Sequence, residues 1–533
     1  MRLPSTTQIR TAAADALRLG RALAASRSTR SHPQVDGRLE VRGARAEIEV
    51  VRDAFGVPHI RAHNDEDAVF GLGLVHAQDR LFQLDSTRRF ALGRLAEVGG
   101  PAVVEADRFM RCLGLADRAG RDYAGLGTDE RTLLDAYARG VNAGIEATRA
   151  LPPEYALVEE PPERWHPEHT LAVARLVLFT FALNWDTELL RERLLSALGP
   201  DRAFELDAVY PPDGQTTTGL DVPAGERLLH ALEAAFEAGL PVGGASNAFA
   251  LAPSRTGTGA PLLASDPHLQ ARMPSLFHIA HVTGPGFDAI GAGLPGTPGL
   301  VLGHNGAMAW GITAGMADVA DCYIERIDPD EPSRYLTPEG WQTGRTRIER
   351  IEVRGAPTIE ERVLETRHGP ILGPALPGET RAVALRCTAL EEGDLATPFL
   401  AMLRARDPGA FESALAQWPG ATFNFVWAST GGEIGYRMAG SVPVRAHGEG
   451  LLPQDGAASN GPPPPLPPDA MPAFRNPPSG MIVSANNAPG GEASLGVEWC
   501  DRYRAERITR PSRMATPSRR CRRSSRLSRH RAH

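Results

Sequence analysis

The spacing of apolar residues changes from a helical to a strand-like period about halfway along the chain. Helical spacing covers residues 65–100, 129–150 and 168–198, and two short strands precede it between residues 46 and 62. Period-two alternation dominates from Ser246 onward, in segments separated by glycine and proline turns. This order predicts an α+β fold with a helical first half and a β-rich second half.

The same pattern divides the chain into five segments. We expect a weakly ordered leader at 1–40, a helical part at 41–199, an exposed linker at 200–245, a strand-rich part at 246–508 and a tail at 509–533. From Arg510 to the end, the chain has nine arginines and no acidic residue, and it contains no lysine anywhere. We interpret the tail as an out-of-frame translation of a biased coding sequence, which would leave the strand-rich part incomplete. A tail that binds an anionic surface is the alternative.

Composition narrows the classes of function. The net charge of −7 argues against nucleic acid as a partner, and the longest apolar run, residues 171–183, is too short to cross a membrane. The five cysteines have no metal-ligand spacing, and an odd number cannot pair completely within one chain. No secretory signal is visible, so the location, periplasmic or cytoplasmic, stays open. We therefore expect neither a nucleic-acid nor a membrane partner.

Ser246 stands between a small-residue linker and the first segment of period two. A serine that acts at neutral pH needs a base and donors for the oxyanion. Its surroundings, Gly244-Ala245-Ser246-Asn247-Ala248, lack the second glycine of an α/β-hydrolase nucleophile elbow. Taken by itself, the segment is also consistent with a Ser-Asn turn that opens a strand.

Several further motifs follow one another in a fixed order along the chain. Those before Ser246 are Arg52-Asp53, Gly56-Val57-Pro58-His59-Ile60, His76-Ala77-Gln78-Asp79-Arg80 and Gly93-Arg94-Leu95-Ala96-Glu97. Those after it are Asp266-Pro267-His268-Leu269, Gly296-Thr297-Pro298-Gly299, Gly303-His304-Asn305-Gly306, Ala309-Trp310-Gly311-Ile312-Thr313-Ala314-Gly315 and Ala485-Asn486-Asn487. With these motifs, the chain resembles the penicillin acylase family of N-terminal nucleophile hydrolases over about residues 46–508. The resemblance implies a four-layer αββα sandwich.

The resemblance also implies a reaction. The chain would cut itself between Ala245 and Ser246, and Ser246 with its new α-amino group would then hydrolyse a linear amide. The pKa of an α-amino group is about 7.7–8.0, so the group can accept the hydroxyl proton without help from a histidine. Candidate substrates are a penicillin, an N-acyl amino acid and an acyl-homoserine lactone, and the two processed chains would form a heterodimer. The alternative is a truncated, unprocessed and inactive homologue.

The resemblance assigns the other catalytic residues as well. His268 would orient the nucleophile and assist maturation, Ala314 through its backbone N–H and Asn486 through its side-chain amide would bind the oxyanion, and Arg504 would steady the site. Asn487, in place of Asn486, is the alternative oxyanion donor. A structural histidine and an ordinary surface arginine are the alternatives for His268 and Arg504.

Two binding sites are implied in the same way. The walls of the acyl pocket would be Leu178, Leu269, Leu302 and Ile312, although these are equally good core residues. The scarcity of aromatic residues there suggests an aliphatic acyl group as much as an arylacetyl group. A structural Ca²⁺ would be held by Glu188, Asp318, Ala320 and Asp321, since a hard cation prefers oxygen ligands, and a solvated acidic loop is the alternative. No organic cofactor is implied.

Overall fold

The computed structural model describes residues 32–510 apart from 183, 206–216, 218–244, 377–378, 446–449 and 492, together with a few positions between 17 and 24. The predicted tail beyond Arg510, most of the predicted leader and most of the predicted linker lie outside the described residues. In the described part of the chain, most helices lie before residue 206 and most strands lie after residue 244. The predicted helical first half and β-rich second half are therefore confirmed.

The helices of the described ranges are α1 (Asp65–Ala91), α2 (Ala96–Gly99), α3 (Val104–Leu113), α4 (Leu115–Gly125), α5 (Thr128–Ala147), α6 (Tyr155–Val158), α7 (Pro167–Thr180), α8 (Trp185–Leu198), α9 (Pro200–Glu205), α10 (Thr397–Arg404), α11 (Pro408–Leu415) and α12 (Tyr503–Thr509). Within these ranges, no helix combines the length and the apolar character needed to span a bilayer.

The strands are β1 (Glu49–Arg52), β2 (Pro58–Arg61), β3 (Ala245–Leu251), β4 (Leu262–His268), β5 (His278–Thr283), β6 (Asp288–Gly293), β7 (Leu300–His304), β8 (Met308–Ala314), β9 (Ala320–Glu325), β10 (Arg334–Thr337), β11 (Gly340–Thr343), β12 (Arg345–Ile351), β13 (Ile359–Thr366), β14 (Gly369–Pro370), β15 (Ala382–Cys387), β16 (Phe423–Ser429), β17 (Ile434–Ala439), β18 (Gln454–Asp455), β19 (Ala473–Arg475) and β20 (Met481–Ser484).

Helix α1 is the central helix of the first half, and all of its residues from 67 to 77 are buried. Asn64 caps its start by accepting a hydrogen bond from the backbone N–H of Asp67, at 2.8 Å. Glycines allow α5 to approach α1 closely: a Cβ on Gly73 would lie 2.3 Å from the carbonyl oxygen of Tyr137, and one on Gly140 would lie 2.0 Å from the carbonyl oxygen of Phe70. The two helices therefore pack closely against each other along their length.

The large sheet has nine strands in the order β1-β2-β5-β6-β7-β8-β16-β17-β19. Its neighbours are antiparallel except for β2 and β5, which join the two halves of the chain in parallel. Helix α1 lies against β2 and β5. Because β8 and β16 occupy the interior of the sheet, every residue from Phe423 to Ser429 is buried.

A second sheet, in the order β20-β3-β4, faces the large sheet at β8. The two sheets come close because β8 contains Gly311, where an added Cβ would lie 2.6 Å from the Cβ of Ser265 on β4. The hydroxyl of Ser265 also accepts a hydrogen bond from the backbone N–H of Ile312, at 3.3 Å. Helix α12 packs on the other side of the small sheet, where Ala505 meets Val483. This packing fixes β3, and with it Ser246, between β8 and α12.

Three predicted elements are wrong in detail. The helix expected at 168–198 is two helices, because Asn184 has a left-handed φ of 87° that no continuous helix accommodates. The strand-rich second half contains α10 and α11, and α11 begins with the side chain of Asp407 accepting from the N–H of Ala410 at 2.9 Å. The first residues of the predicted linker form α9.

Candidate active site

Ser246 is the second residue of β3 and lies on its inner face. Side chains alternate along this strand, and those of Ser246, Ala248 and Ala250 are buried. The backbone N–H of Ser246 donates a hydrogen bond to the side-chain oxygen of Asn486, with 2.7 Å between N and Oδ1. Cleavage after Ala245 would turn this nitrogen into an amine. The same nitrogen is thus hydrogen-bonded to Asn486, a second predicted site residue.

Asn486 follows β20 and is fully buried. Its φ of 60° is left-handed, a conformation that asparagine adopts more readily than most residues. While its Oδ1 accepts from Ser246, its Nδ2 donates to the carbonyl oxygen of Ala314 at 3.1 Å. Asn486 therefore links the small sheet to the end of β8 and brings Ser246 and Ala314 together.

Arg504 completes the cluster from helix α12. Its guanidinium donates to the carbonyl oxygen of Ser246 at 2.6 Å, to Oδ1 of Asn247 at 2.9 Å and to Oδ1 of Asn486 at 3.0 Å. These are charge-assisted hydrogen bonds, which are stronger than those between neutral groups. The surface-charge alternative for Arg504 does not describe this arrangement, since the side chain holds three groups of the cluster at once.

His268 lies farther from the serine side chain than the sequence suggested. In the ladder between β3 and β4, His268 is opposite Ala245, so alternation puts it on the same face as Asn247 and on the opposite face from Ser246. Its Nε2 is 3.2 Å from Nδ2 of Asn247 and 2.8 Å from Oδ2 of Asp266. In the uncleaved chain, the structure brings His268 to Asn247 and not to the hydroxyl that it was expected to orient.

Asn487 points away from Ser246. Its Oδ1 accepts from the backbone N–H of Ala485 at 2.9 Å, and its Nδ2 donates to the hydroxyl of Thr217 at 3.3 Å. Thr217 belongs to the predicted linker. Of the two neighbouring amides, Asn486 is therefore the one that contacts both Ser246 and Ala314.

Asn424 was missed by the sequence analysis, although it contacts the same carbonyl group as Asn486. Its Nδ2 donates to Ala314 O at 3.1 Å and to the hydroxyl of Thr313 at 3.0 Å, and its Oδ1 accepts from the hydroxyl of Tyr436 at 2.5 Å. Burial raises the pKa of Tyr436, so its hydroxyl stays protonated and remains a donor. A lone polar residue in the apolar run of β16 was the available signal, because a buried amide must find partners.

An apolar cavity lies between α7, α10, β8 and β16. Two of the four predicted pocket residues, Leu178 and Ile312, line it, while Leu269 and Leu302 do not belong to its lining. Phe423, another lining residue, is the strand partner of Ala314. The cavity therefore lies beside the end of β8 that Asn486 contacts.

The lining of this cavity corrects one expectation. Apart from its aliphatic walls it contains five aromatic residues, which are Phe181, Phe277, Phe399, Trp418 and Phe423. The predicted scarcity of aromatic residues is wrong. Phe181 follows Leu178 by three residues, and the other four aromatic residues come from segments that were not assigned to the pocket. The cavity is suited to an apolar group, aliphatic or aromatic.

The predicted calcium ligands surround a guanidinium. Arg445 donates to Oδ1 of Asp321 at 2.7 Å, to Oδ1 of Asp318 at 3.0 Å and to the carbonyl oxygen of Ala320 at 3.3 Å. Over the described part of the chain, no group of three or more His, Cys, Asp or Glu side chains has a geometry that could hold a metal ion. The oxygens that were assigned to Ca²⁺ are thus hydrogen-bonded to an arginine.

Glu188, the fourth predicted ligand, lies beside this group in the protein interior. Its Oε2 accepts a hydrogen bond from the backbone N–H of Cys322 at 3.0 Å. Burial, together with the charges of Asp321 and Asp318, raises the pKa of Glu188 well above its ordinary value. Burial also raises the pKa of Asp318 to about 7. The three carboxyl groups are therefore close enough to disfavour one another's ionisation.

The site is thus built on a serine at the start of a strand. The backbone nitrogen of this serine is hydrogen-bonded to a buried asparagine side chain between two facing sheets. The family model of penicillin amidase matches residues 47–520 of the chain. The chain belongs to the penicillin amidase family.

Similar proteins cover most of the chain. Penicillin acylase 2 proenzyme of Pseudomonas sp. (strain SE83) is 37% identical in an alignment 508 residues long, which covers 89% of this chain and 63% of that protein. Acyl-homoserine lactone acylase QuiP of Pseudomonas aeruginosa is 33% identical in an alignment 514 residues long, which covers 90% of this chain and 60% of that protein. A solved structure of thermostable penicillin G acylase from Alcaligenes faecalis matches 48% of this chain and 46% of its own at 27% identity, with a TM-score of 0.41. The chain thus spans less than two thirds of the length of the two Pseudomonas relatives.

Proposed function

We propose that this chain is a self-processing acylase that hydrolyses a linear amide with Ser246 as its N-terminal nucleophile. The observation that carries the proposal is the 2.7 Å hydrogen bond from the Ser246 nitrogen to Asn486, which in turn contacts Ala314. An N-terminal nucleophile needs its own nitrogen held beside the oxyanion donors, because that nitrogen becomes the base. Membership of the penicillin amidase family supports the same reaction.

Maturation comes first. The hydroxyl oxygen of Ser246 attacks the carbonyl carbon of Ala245, the C–N bond between the two residues breaks, and the hydroxyl proton passes to the released nitrogen. Water then hydrolyses the resulting ester, which leaves a carboxylate on Ala245 and a free α-amine on Ser246. Arg504, which donates to the carbonyl oxygen of Ser246, steadies the strand during this step.

Hydrolysis of the substrate repeats this chemistry. The neutral α-amine accepts the hydroxyl proton of Ser246 through a water molecule, and the oxygen attacks the amide carbon of the substrate. The N–H of Ala314 and the Nδ2 group of Asn486 stabilise the oxyanion, the amine departs with the proton, and water releases the acyl group. The Nδ2 group carries two N–H bonds, and the bond to Ala314 O uses one of them.

The cavity lined by Leu178 and Ile312 would hold the acyl group, since its walls are apolar. The names of the relatives suggest a penicillin or an acyl-homoserine lactone as substrate. We further propose that the mature protein is a heterodimer of its two processed chains, in the four-layer αββα arrangement that the resemblance implies.

The decisive experiment is the intact mass of the purified protein beside two serine variants. Processing would give chains of 245 and 288 residues, the latter being 533 − 245. We expect Ser246→Ala to remain a single chain of 57.1 kDa and Ser254→Ala to split as the wild type does, because Ser254 is exposed just beyond the end of β3. A wild-type protein that keeps its full mass would refute the proposal and support the unprocessed, inactive alternative.

A panel of amides then tests the substrate. Penicillin G, N-acyl amino acids and N-acyl-homoserine lactones of increasing chain length are incubated with processed protein, and the release of primary amine is measured. The Ser246→Ala chain is the matched control. Equal amine release from both proteins would show that the reaction does not use Ser246.

A further inference from the structure

The buried carboxyl groups of Glu188, Asp318 and Asp321 join three parts of the chain. Glu188 lies on α8, Asp321 lies on β9, and Asp318 lies in the segment between β8 and β9. None of the three residues is more than 5% exposed. Such a group requires compensating positive charge nearby, because a buried charge without a partner is strongly destabilising.

Arg445 provides this charge. Its guanidinium donates five hydrogen bonds of 2.7 to 3.3 Å, which reach Oδ1 and the backbone oxygen of Asp318, the backbone oxygen of Ala320 and both carboxylate oxygens of Asp321. The Arg445 side chain is only 9% exposed. Arg386 is more distant, at 3.7 Å from Asp321, and donates to Glu391 instead.

We propose that Arg445 is a built-in cation that takes the position of a divalent metal ion, so that this part of the folded chain needs no Ca²⁺. Calcium requires about six to eight oxygen ligands at about 2.3–2.6 Å. Five of the oxygens that could supply them already accept hydrogen bonds from the guanidinium, and an ion bound to the same oxygens would be repelled by it. Oε1 of Glu188 has no hydrogen-bond partner, and a single free oxygen does not make a calcium site.

This clamp has a consequence for the site around Ser246. Asp318 is four residues beyond Ala314, and its backbone N–H donates to the carbonyl oxygen of Leu495 at 2.8 Å. Gly315, between them, donates to the carbonyl oxygen of Thr422 at 2.8 Å. Arg445 therefore acts as a positioning residue for the segment that follows the end of β8, and it does so whether or not Ser246 is catalytic.

The test measures thermal unfolding of the purified full-length chain in EDTA and in millimolar CaCl₂, with calcium binding followed by equilibrium dialysis. The wild type is compared with Arg445→Gln and with Arg326→Gln, in which an exposed ion pair to Asp455 is removed from the end of β9. We expect the wild type and Arg326→Gln to have the same Tm in EDTA and in CaCl₂ and to bind no calcium. We expect Arg445→Gln to have a lower Tm in EDTA that CaCl₂ raises again, because the vacated oxygens then bind the ion.

Three results would overturn the inference. The first is a wild-type Tm that is lower in EDTA than in CaCl₂. The second is binding of about one calcium ion per wild-type chain, and the third is an Arg445→Gln variant whose Tm in EDTA equals that of the wild type. Should Arg445→Gln not fold, Arg445→Lys replaces it: a lysine keeps the charge but not the forked contacts, so its Tm should lie below that of the wild type. The wild-type measurements stand independently of either variant and of any acylase activity.

Discussion

Arg504 provides the sharpest test of how the site is held together. Its guanidinium contacts the carbonyl oxygen of Ser246, the side chain of Asn247 and Oδ1 of Asn486, so replacing it with alanine removes three hydrogen bonds at once. Asn486 keeps only the N–H of Ser246 as a donor to its Oδ1. Arg507, three residues later on the same helix, is exposed and serves as the matched control.

The size of the effect follows from these contacts. A hydrogen bond to a charged group contributes about 1.5–3 kcal/mol, and the three contributions are not additive. If the loss of Arg504 lets Asn486 turn away from Ala314, the cost is that of one oxyanion donor, about 10²-fold in rate, or roughly 2.7 kcal/mol. We therefore expect Arg504→Ala to slow self-processing about 10²-fold, and Arg504→Lys to slow it less because one contact can be kept.

The assay follows the fraction of full-length chain with time by intact mass, which requires no knowledge of the substrate. Arg507→Ala should be processed at the wild-type rate. Thermal unfolding of each variant, measured in the Ser246→Ala background, separates slow chemistry from unfolded protein. A folded Arg504→Ala chain that is processed as fast as the wild type would show that the guanidinium does not position the site.

Three further predictions concern other parts of the chain. In processed enzyme, Asn486→Ala should lower kcat about 10²- to 10³-fold with little change in KM, whereas Asn487→Ala should lower it less than about tenfold, as steady-state kinetics will show. Leu178→Phe fills part of the cavity and should lower kcat/KM for long acyl groups about tenfold relative to short ones. A series of substrates of increasing acyl length measures this effect, and an equal loss for all lengths would contradict the prediction. Burial holds the pKa of His169 at about 3 in the folded chain, where its Nδ1 accepts a hydrogen bond from the N–H of His166 at 3.1 Å. Below about pH 6.5 the unfolded chain therefore binds one more proton, at His169, than the folded chain does. The free energy of unfolding should fall by about 2 kcal/mol between pH 6.5 and about pH 5. Urea titrations should show this slope in the wild type and a flatter one in His169→Gln, which keeps an acceptor but does not titrate.

Local patterns were sufficient to predict much of the fold. The change of period at Ser246 is confirmed by β3. The helices α10 and α11 were missed although a proline stands in the first turn of each, a position that favours a helix start. The break at Asn184 was missed because apolar spacing continues on both sides of it, and a change of helix direction leaves no trace in that spacing.

The contacts of the site could not be predicted in the same way, because they join distant segments. Motif order brought Ser246, Ala314 and Asn486 together as candidates, but no local pattern indicates that Arg445 lies on Asp321, 124 residues away in sequence. The same holds for the contact between Asn424 and the carbonyl oxygen of Ala314. The partner of a buried polar group is determined by how the sheets pack, and the sequence alone indicates only that a partner must exist.

The identity of residue 486 illustrates how the backbone and the chemistry constrain one position together. A left-handed φ of 60° is readily adopted by glycine and, among residues with side chains, by asparagine and aspartate. Glycine has no amide group to bond Ser246 and Ala314, and an aspartate carboxylate could accept from Ser246 but could not donate to the carbonyl oxygen of Ala314. Asparagine alone among these three satisfies the turn after β20 and both hydrogen bonds. The backbone conformation and the two contacts therefore support the same residue independently, which is why Asn486, and not its neighbour, is the position at which the two sheets and the serine meet.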